Sequence, residues 1–156
     1  LLKGTSAGFT GTRHPITALQ RQMLMWFLCE VDVRELHYGD CTGADYEMFM
    51  LCTSFEVYTV CHPPDKYTFR MFTVADEVRL EKPYLERNMN IVAESDFLVA
   101  CPREMIEPGD IRRGGTWTTV GYARLAGQGR LAESSYVHRR PEHHRSRASA
   151  ISDPDG

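Results

Sequence analysis

Asp96-Phe97-Leu98-Val99-Ala100-Cys101-Pro102 is the stretch on which the reading of this chain turns. A continuous apolar run of this kind fits a central parallel strand buried on both faces, and Pro102 ends it. A loop with Pro108 and Gly109 follows, and then Arg113-Gly114-Gly115-Thr116-Trp117-Thr118-Thr119, which opens a helix running through Val120, Tyr122, Ala123 and Leu125 to Gly127 as its C-terminal cap. Strand, glycine turn and helix start make an anion seat: Gly114 and Gly115 let the backbone approach a ligand, and the first-turn amides favour negative charge. The hydroxyls of Thr116, Thr118 and Thr119 add donors. An ordinary glycine turn with a threonine N-cap is the alternative that this stretch leaves open.

Upstream of the run, Pro83 suits the first turn of a helix with Leu85, Met89, Val92 and Ala93 on one face and Arg87 and Asn88 elsewhere. Residues 65 to 81 read as an irregular connection with a short strand near Val78. Before them, Phe55 to Cys61 alternates like a strand and stops at His62, Pro63 and Pro64. His62 at a strand end is placed to contact a ligand, but the sequence offers it no ligand-spaced partner, so no metal is expected. Glu35 to Tyr38 predicts a strand running into Gly39, Asp40, Cys41, Thr42, Gly43, Ala44 and Asp45, then a helix through Leu51. Gly43 and Ala44 allow close approach, and Asp40 and Asp45 are the residue type that orients ribose hydroxyls or caps a helix. Ser6 to Phe9 predicts a first strand ending in Gly11, Thr12 and Arg13, and Thr17 with Gln20 forms a capping box for a helix over residues 17 to 30, packed through Leu19, Met23, Trp26 and Phe27.

The chain of 156 residues, 42% hydrophobic and 25% charged, suits one soluble domain able to bury a core. Its net charge of -3 excludes a surface that coats nucleic acid generally, though not a local anion site. Five cysteines, an odd number without CxxC spacing, point to a reducing, cytoplasmic setting. The longest apolar run, Met23 to Cys29, is too short to span a bilayer, and no signal segment opens the chain. Residues 1–137 read as one domain. Residues 138–156, with four arginines and three histidines between His138 and Arg147, read as a basic, disordered tail. Truncation after Arg139 is expected to leave the melting temperature nearly unchanged; a large drop would place a sheet strand in the tail.

Alternating strands and helices predict a three-layer α/β Rossmann-like domain with a mainly parallel central sheet, whose ligand sits outside the carboxyl ends of the strands. Each candidate ligand loop follows a strand, so Gly11 to Arg13, Gly39 to Asp45, His62 to Pro64 and Arg113 to Thr119 should converge on one edge. Neither GxGxxG nor GxxxxGK[ST] occurs, which removes support for ordinary NAD binding and ATP hydrolysis.

Five stretches in order carry a resemblance: Gly-Thr-Arg at 11–13, His-Tyr-Gly-Asp-Cys-Thr-Gly-Ala-Asp at 37–45, His-Pro-Pro at 62–64, Lys-Pro-Tyr-Leu-Glu-Arg-Asn at 82–88 and Gly-Gly-Thr-Trp-Thr-Thr at 114–119. Over residues 6–127 the chain resembles the SLOG superfamily, which contains the LOG phosphoribohydrolases, also called "lysine decarboxylase-like", and the DprA proteins; small bacterial and phage members are most alike. The resemblance implies a Rossmann-like fold that binds nucleotides or nucleotide-derived ligands, often as a dimer, without metal or redox cofactor. It makes Arg87 the catalytic or phosphate-orienting residue, with Asn88 replacing a lysine. Gly114, Gly115 and Thr118 match the LOG glycine pattern, but Val120 and Gly121 stand where LOG enzymes place glutamates.

The first expectation is therefore a nucleotide-binding pocket, with weak N-glycosidic cleavage in which Arg87 and Asp45 take part. A LOG-like phosphoribohydrolase or ribosyltransferase is the enzyme alternative, and DprA-like binding of single-stranded DNA is the third.

Overall fold

The computed structural model describes residues 3–103, 114–127, 129–130 and 136–139. β1 (Lys3–Gly11) runs through the middle of a sheet, with β2 (Asp32–Tyr38), β3 (Tyr58–Cys61) and β4 (Glu77–Val78) to one side and β5 (Phe97–Cys101) to the other. These five strands are parallel, in the order β4-β3-β2-β1-β5. Beyond β5 the sheet continues through two antiparallel pairings, to β7 (Tyr136–Arg139) and then β6 (Gly129–Arg130). All five residues of β5 are buried between β1 and β7, as the unbroken apolar run predicts. β7 pairs Arg139 with Phe97 and His138 with Leu98, so these two residues, read from the sequence as tail, lie in the sheet. Residues 140–156 lie outside the described residues.

Among the described residues four helices cover the sheet: α1 (Ala18–Glu30), α2 (Ala44–Ser54), α3 (Tyr84–Ala93) and α4 (Gly115–Leu125). Side chains alternate across a strand, so successive residues feed two separate cores. Ala7, Phe9, Leu36, Tyr38, Phe97 and Val99 pack with Leu24, Phe27, Met48 and Phe49 of α1 and α2. Leu98 and Ala100 pack instead with Ile91 and Val92 of α3 and Trp117, Val120 and Ala123 of α4. The result is the three-layer Rossmann-like arrangement with a mainly parallel sheet. Each fully buried large apolar side chain contributes roughly 1.5–3 kcal/mol, so the dozen largest, from Trp117 to Val120, dominate the favourable side of folding.

Two helix faces differ from their sequence reading. α1 begins as predicted, Thr17 Oγ1 accepting from Gln20 N at 3.1 Å and Gln20 Oε1 accepting from Thr17 N at 3.0 Å. It buries Gln20, Leu24, Phe27 and Leu28, however, and leaves Leu19 and Trp26 more than half exposed. The helix is apolar on several sides, and burial of Gln20 is satisfied by its Nε2 donating to Pro102 O at 2.9 Å, which turns the helix toward that face. α3 buries Arg87, Asn88, Ile91 and Val92, while Leu85 and Met89 face outward. There the cause is a set of carbonyls that only the folded sheet presents to Arg87.

The chain steps from β1 to β2 and β3 in one direction and then returns to lay β5 on the other side of β1. Loops leaving β1 and β5 therefore diverge at their carboxyl ends and open a crevice. Among the described residues no helix is long and apolar enough to cross a membrane. Cys41, Cys52 and Cys61 are buried thiols and Cys29 an exposed one.

Candidate functional site

A cavity of about 360 Å³ fills that crevice, a size ordinary for a small-molecule site. Its floor is the end of β1 and the turn after it, residues 10 to 14. Thr12 is pinned on both sides, its N–H donating to Cys101 O and its carbonyl accepting from Ala44 N, each at 2.9 Å. The far wall is the start of α4. Gly114 caps that helix without a side-chain hydrogen bond, no acidic residue stands in its first turn, and Gly114, Gly115, Thr116 and Trp117 all line the cavity. A Cβ at Gly114 or Gly115 would meet nothing within 4 Å. By helix geometry the first-turn amides lack intrahelical acceptors, so this wall presents N–H groups and the positive end of the helix dipole.

The charged groups on the lining described are Arg13, Arg87, Arg103 and Asp45. Arg13 is held at the mouth between aromatic faces, 4.3 Å from the Phe69 centroid and 5.0 Å from that of Tyr84. Arg103 lies directly after β5 and meets His14 Nε2 through its Nη1 at 3.1 Å. Arg87 is buried. Its Nη1 donates to Gly39 O at 2.5 Å and to His62 O at 3.2 Å, and its Nε donates to Asn88 Oδ1 at 2.7 Å. The guanidinium thus ties the ends of β2 and β3 to α3 while lining the cavity.

Asp45, in the first turn of α2, is buried with its Oδ2 accepting from Cys41 N at 3.1 Å. Burial pushes its carboxyl up to about 6, more than Arg87 and the Cys41 amide lower it. A carboxyl titrating near neutrality can exchange a proton at physiological pH. Asp45 and Arg87 meet over Gly39: a Cβ there would stand 2.2 Å from Arg87 Nη1 and 2.9 Å from Asp45 Oδ2. Any other residue at 39 would push the two groups out of place. The Cys41 thiol, 3.9 Å from Arg87 Nη2, is raised by burial and then by Asp45, so it is not a ready thiolate.

Of the residues expected at the site, Gly11, Thr12, Arg13, Gly39, Asp45, Arg87, Asn88, Gly114, Gly115 and Thr116 meet on this cavity, at the one sheet edge that the loop pattern predicts. The others do not line it. Thr118 and Thr119 turn their hydroxyls back onto Gly114 O and Gly115 O, at 3.3 and 2.8 Å, because a helical threonine reaches the carbonyl four residues earlier. Gly43 and Ala44 pack against the turn after β1 rather than facing the cavity. Asp40 is almost wholly buried and satisfied within the protein. Its carboxylate accepts from Arg70 Nε at 3.1 Å and from the N–H and hydroxyl of Thr73, anchoring the segment after β3. Pro63 sits in that same segment's contact with Lys82. Sequence reasoning missed Tyr84, Cys41 and Arg103; the position of Arg103 just past a central strand was the available signal.

His62 is also turned away, and here the expectation of a histidine without partner is corrected. Its Nε2 lies 2.9 Å from His37 Nδ1, because the ends of β2 and β3 place both rings under α3. Glu94 Oε2 stands 3.4 Å from each of these nitrogens. Burial, then His37, Arg79 and Arg87, hold the His62 imidazole down at about 3, so it is neutral at pH 7.

Comparison with family models, curated proteins and solved structures finds no match for this chain.

Proposed function

We propose that the cavity binds a nucleotide or nucleotide-derived ligand, with phosphate against the start of α4 and the sugar toward Asp45. The observation that carries this is the make-up of the lining: among the described residues, three arginines, an open helix N-terminus and one buried carboxylate, Asp45, meet on one small cavity. An anion is drawn to the helix end and the cations, while a carboxylate amid such charge is the natural acceptor for sugar hydroxyls. The presence of phosphate-type and hydroxyl-type groups in one cavity favours a phosphorylated sugar over a bare anion.

A second reading has its own support. LOG-like cleavage of an N-glycosidic bond needs a carboxylate that α4 does not supply, since Val120 is core and Gly121 has no side chain. Asp45 enters the same cavity from α2 with a carboxyl near 6, suited to activate water or to protonate a leaving base. The DprA-like alternative draws on basic residues outside the described ones and gains nothing from the cavity.

Gly115→Asp is the discriminating variant. A Cβ there meets none of the described residues within 4 Å, and the side chain sets a negative charge in the proposed phosphate seat. Calorimetry on a panel of nucleoside monophosphates and nucleosides should show nucleotide affinity falling at least tenfold, the loss of one charge-assisted contact of about 1.5–3 kcal/mol, with nucleoside binding little changed. Equal loss for both, or no nucleotide binding by the unsubstituted protein, would overturn the reading. Free base measured in the same samples separates enzyme from sensor.

A further inference from the structure

We propose that His37, His62 and Glu94 form a binding site for one divalent transition-metal ion of the zinc class, separate from the nucleotide cavity and on the α3 side of the sheet. Two imidazole nitrogens and one carboxylate oxygen converge there with edges of 2.9, 3.4 and 3.4 Å. A tetrahedral ion with bonds of about 2.0–2.1 Å has ligand-to-ligand edges of about 3.3–3.4 Å, so two edges already fit and the third needs to open by about 0.4 Å.

Three further features suit an ion. His37 Nε2, on the side of the ring away from the triangle, lies 3.4 Å from Glu35 Oε2, the outer carboxylate that commonly orients a metal-bound histidine. Both rings are buried, His37 on β2 and His62 directly after β3, where its N–H donates to Tyr38 O at 2.8 Å. Glu94 is partly exposed just past the end of α3, and a second cavity of about 260 Å³, lined by His62, Asn90 and Glu94 together with Leu80 and the cations Arg79, Lys82 and Arg87, leaves room for a water as fourth ligand. Arg79 Nε shares Glu94 Oε2 at 3.2 Å, and the other carboxylate oxygen is available to it once an ion takes this one. His, His and one carboxylate with an open position select zinc, cobalt or nickel over calcium or magnesium, which prefer oxygen alone. The ion would lock β2 and β3 to the same helix whose first turn carries Arg87.

The test uses the full chain, stripped with chelator and titrated with Co²⁺ as a spectroscopic probe and with Zn²⁺ by calorimetry. One equivalent should bind, with the visible cobalt absorption of a four- or five-coordinate nitrogen and oxygen site, and should raise the melting temperature. Glu94→Gln, at an exposed position that should not disturb folding, should weaken binding at least tenfold; His37→Gln should abolish it, and His143→Gln with His144→Gln in the tail should leave it unchanged. If His37→Gln fails to fold, Glu94→Gln alone decides. Absence of one-equivalent binding, or binding that survives Glu94→Gln but is lost with the tail histidines, would overturn the site.

Discussion

Asp45→Asn is expected to make the free protein more stable above pH 6, by about 3 kcal/mol, while removing the carboxylate that the proposed function needs. The sign follows from the direction of the shift. In the folded protein the Asp45 carboxyl titrates near 6, raised from an ordinary value of 3.8 by burial. Below about 3.8 the group is protonated in both states and adds nothing unfavourable. As pH rises from there through 6, the unfolded chain ionises readily and the folded one does not, so stability falls and stays lower. Asparagine keeps an oxygen for the Cys41 amide but never ionises, so the difference from the unsubstituted protein should open between pH 4 and 6 and level off above. Denaturant midpoints across pH 4–8 check this, and identical curves would show that Asp45 is not held in a charge-averse site. If base is released, the same variant should slow it roughly 10²- to 10⁴-fold. A residue that costs stability in its ionised form and faces a cavity is more readily explained by function than by folding.

Gly43→Ala should act in the opposite sense and on the fold itself. Gly43 has φ of 87°, and a Cβ there would come within 2.4 Å of Arg13 C and O and 2.6 Å of Thr12 O. The obstructing atoms are backbone and cannot swing aside. Strain of about 1–3 kcal/mol for the left-handed conformation adds to about 1–3 kcal/mol for overpacking, so a loss of about 3 kcal/mol or more is expected. Because the turn after β1 would be displaced, ligand affinity should fall with it. Gly115→Ala is the control: it occupies open space in the first turn of α4 and should be neutral or mildly stabilising. A loss at both glycines of equal size would refute the packing argument.

Much of the fold was legible because it depends on local signals. Phe97 to Cys101 shows no polar residue to suggest a solvated face, and Thr17 with Gln20 marks a helix start by its own chemistry. Helix faces were less legible, since Leu85 and Met89 look like core until Gly39 O and His62 O, from 25 or more residues away, are seen to draw Arg87 inward. The site followed the same division. That the loops after β1, β2 and β5 share an edge is a consequence of parallel topology and could be read from strand and helix alternation. Which side chains point into the cavity could not, as Asp40 and Asp45 show: two aspartates in one loop, one spent on Arg70 and Thr73, the other left facing the cavity. The pairing of His37 with His62 depends on the register of two strands, which no spacing within either motif encodes.

The anchoring of Arg70 and Thr73 by Asp40 reaches beyond its own hydrogen bonds. Cys41 bridges to Arg70, Thr42 N donates to Phe69 O at 2.8 Å, and Phe69 in turn carries the face on which Arg13 rests. One carboxylate outside the cavity wall therefore supports a cation on its lining. Losing that anchor would loosen the ring on which Arg13 rests, so a carboxylate that does not line the cavity still acts on one of the cations that do.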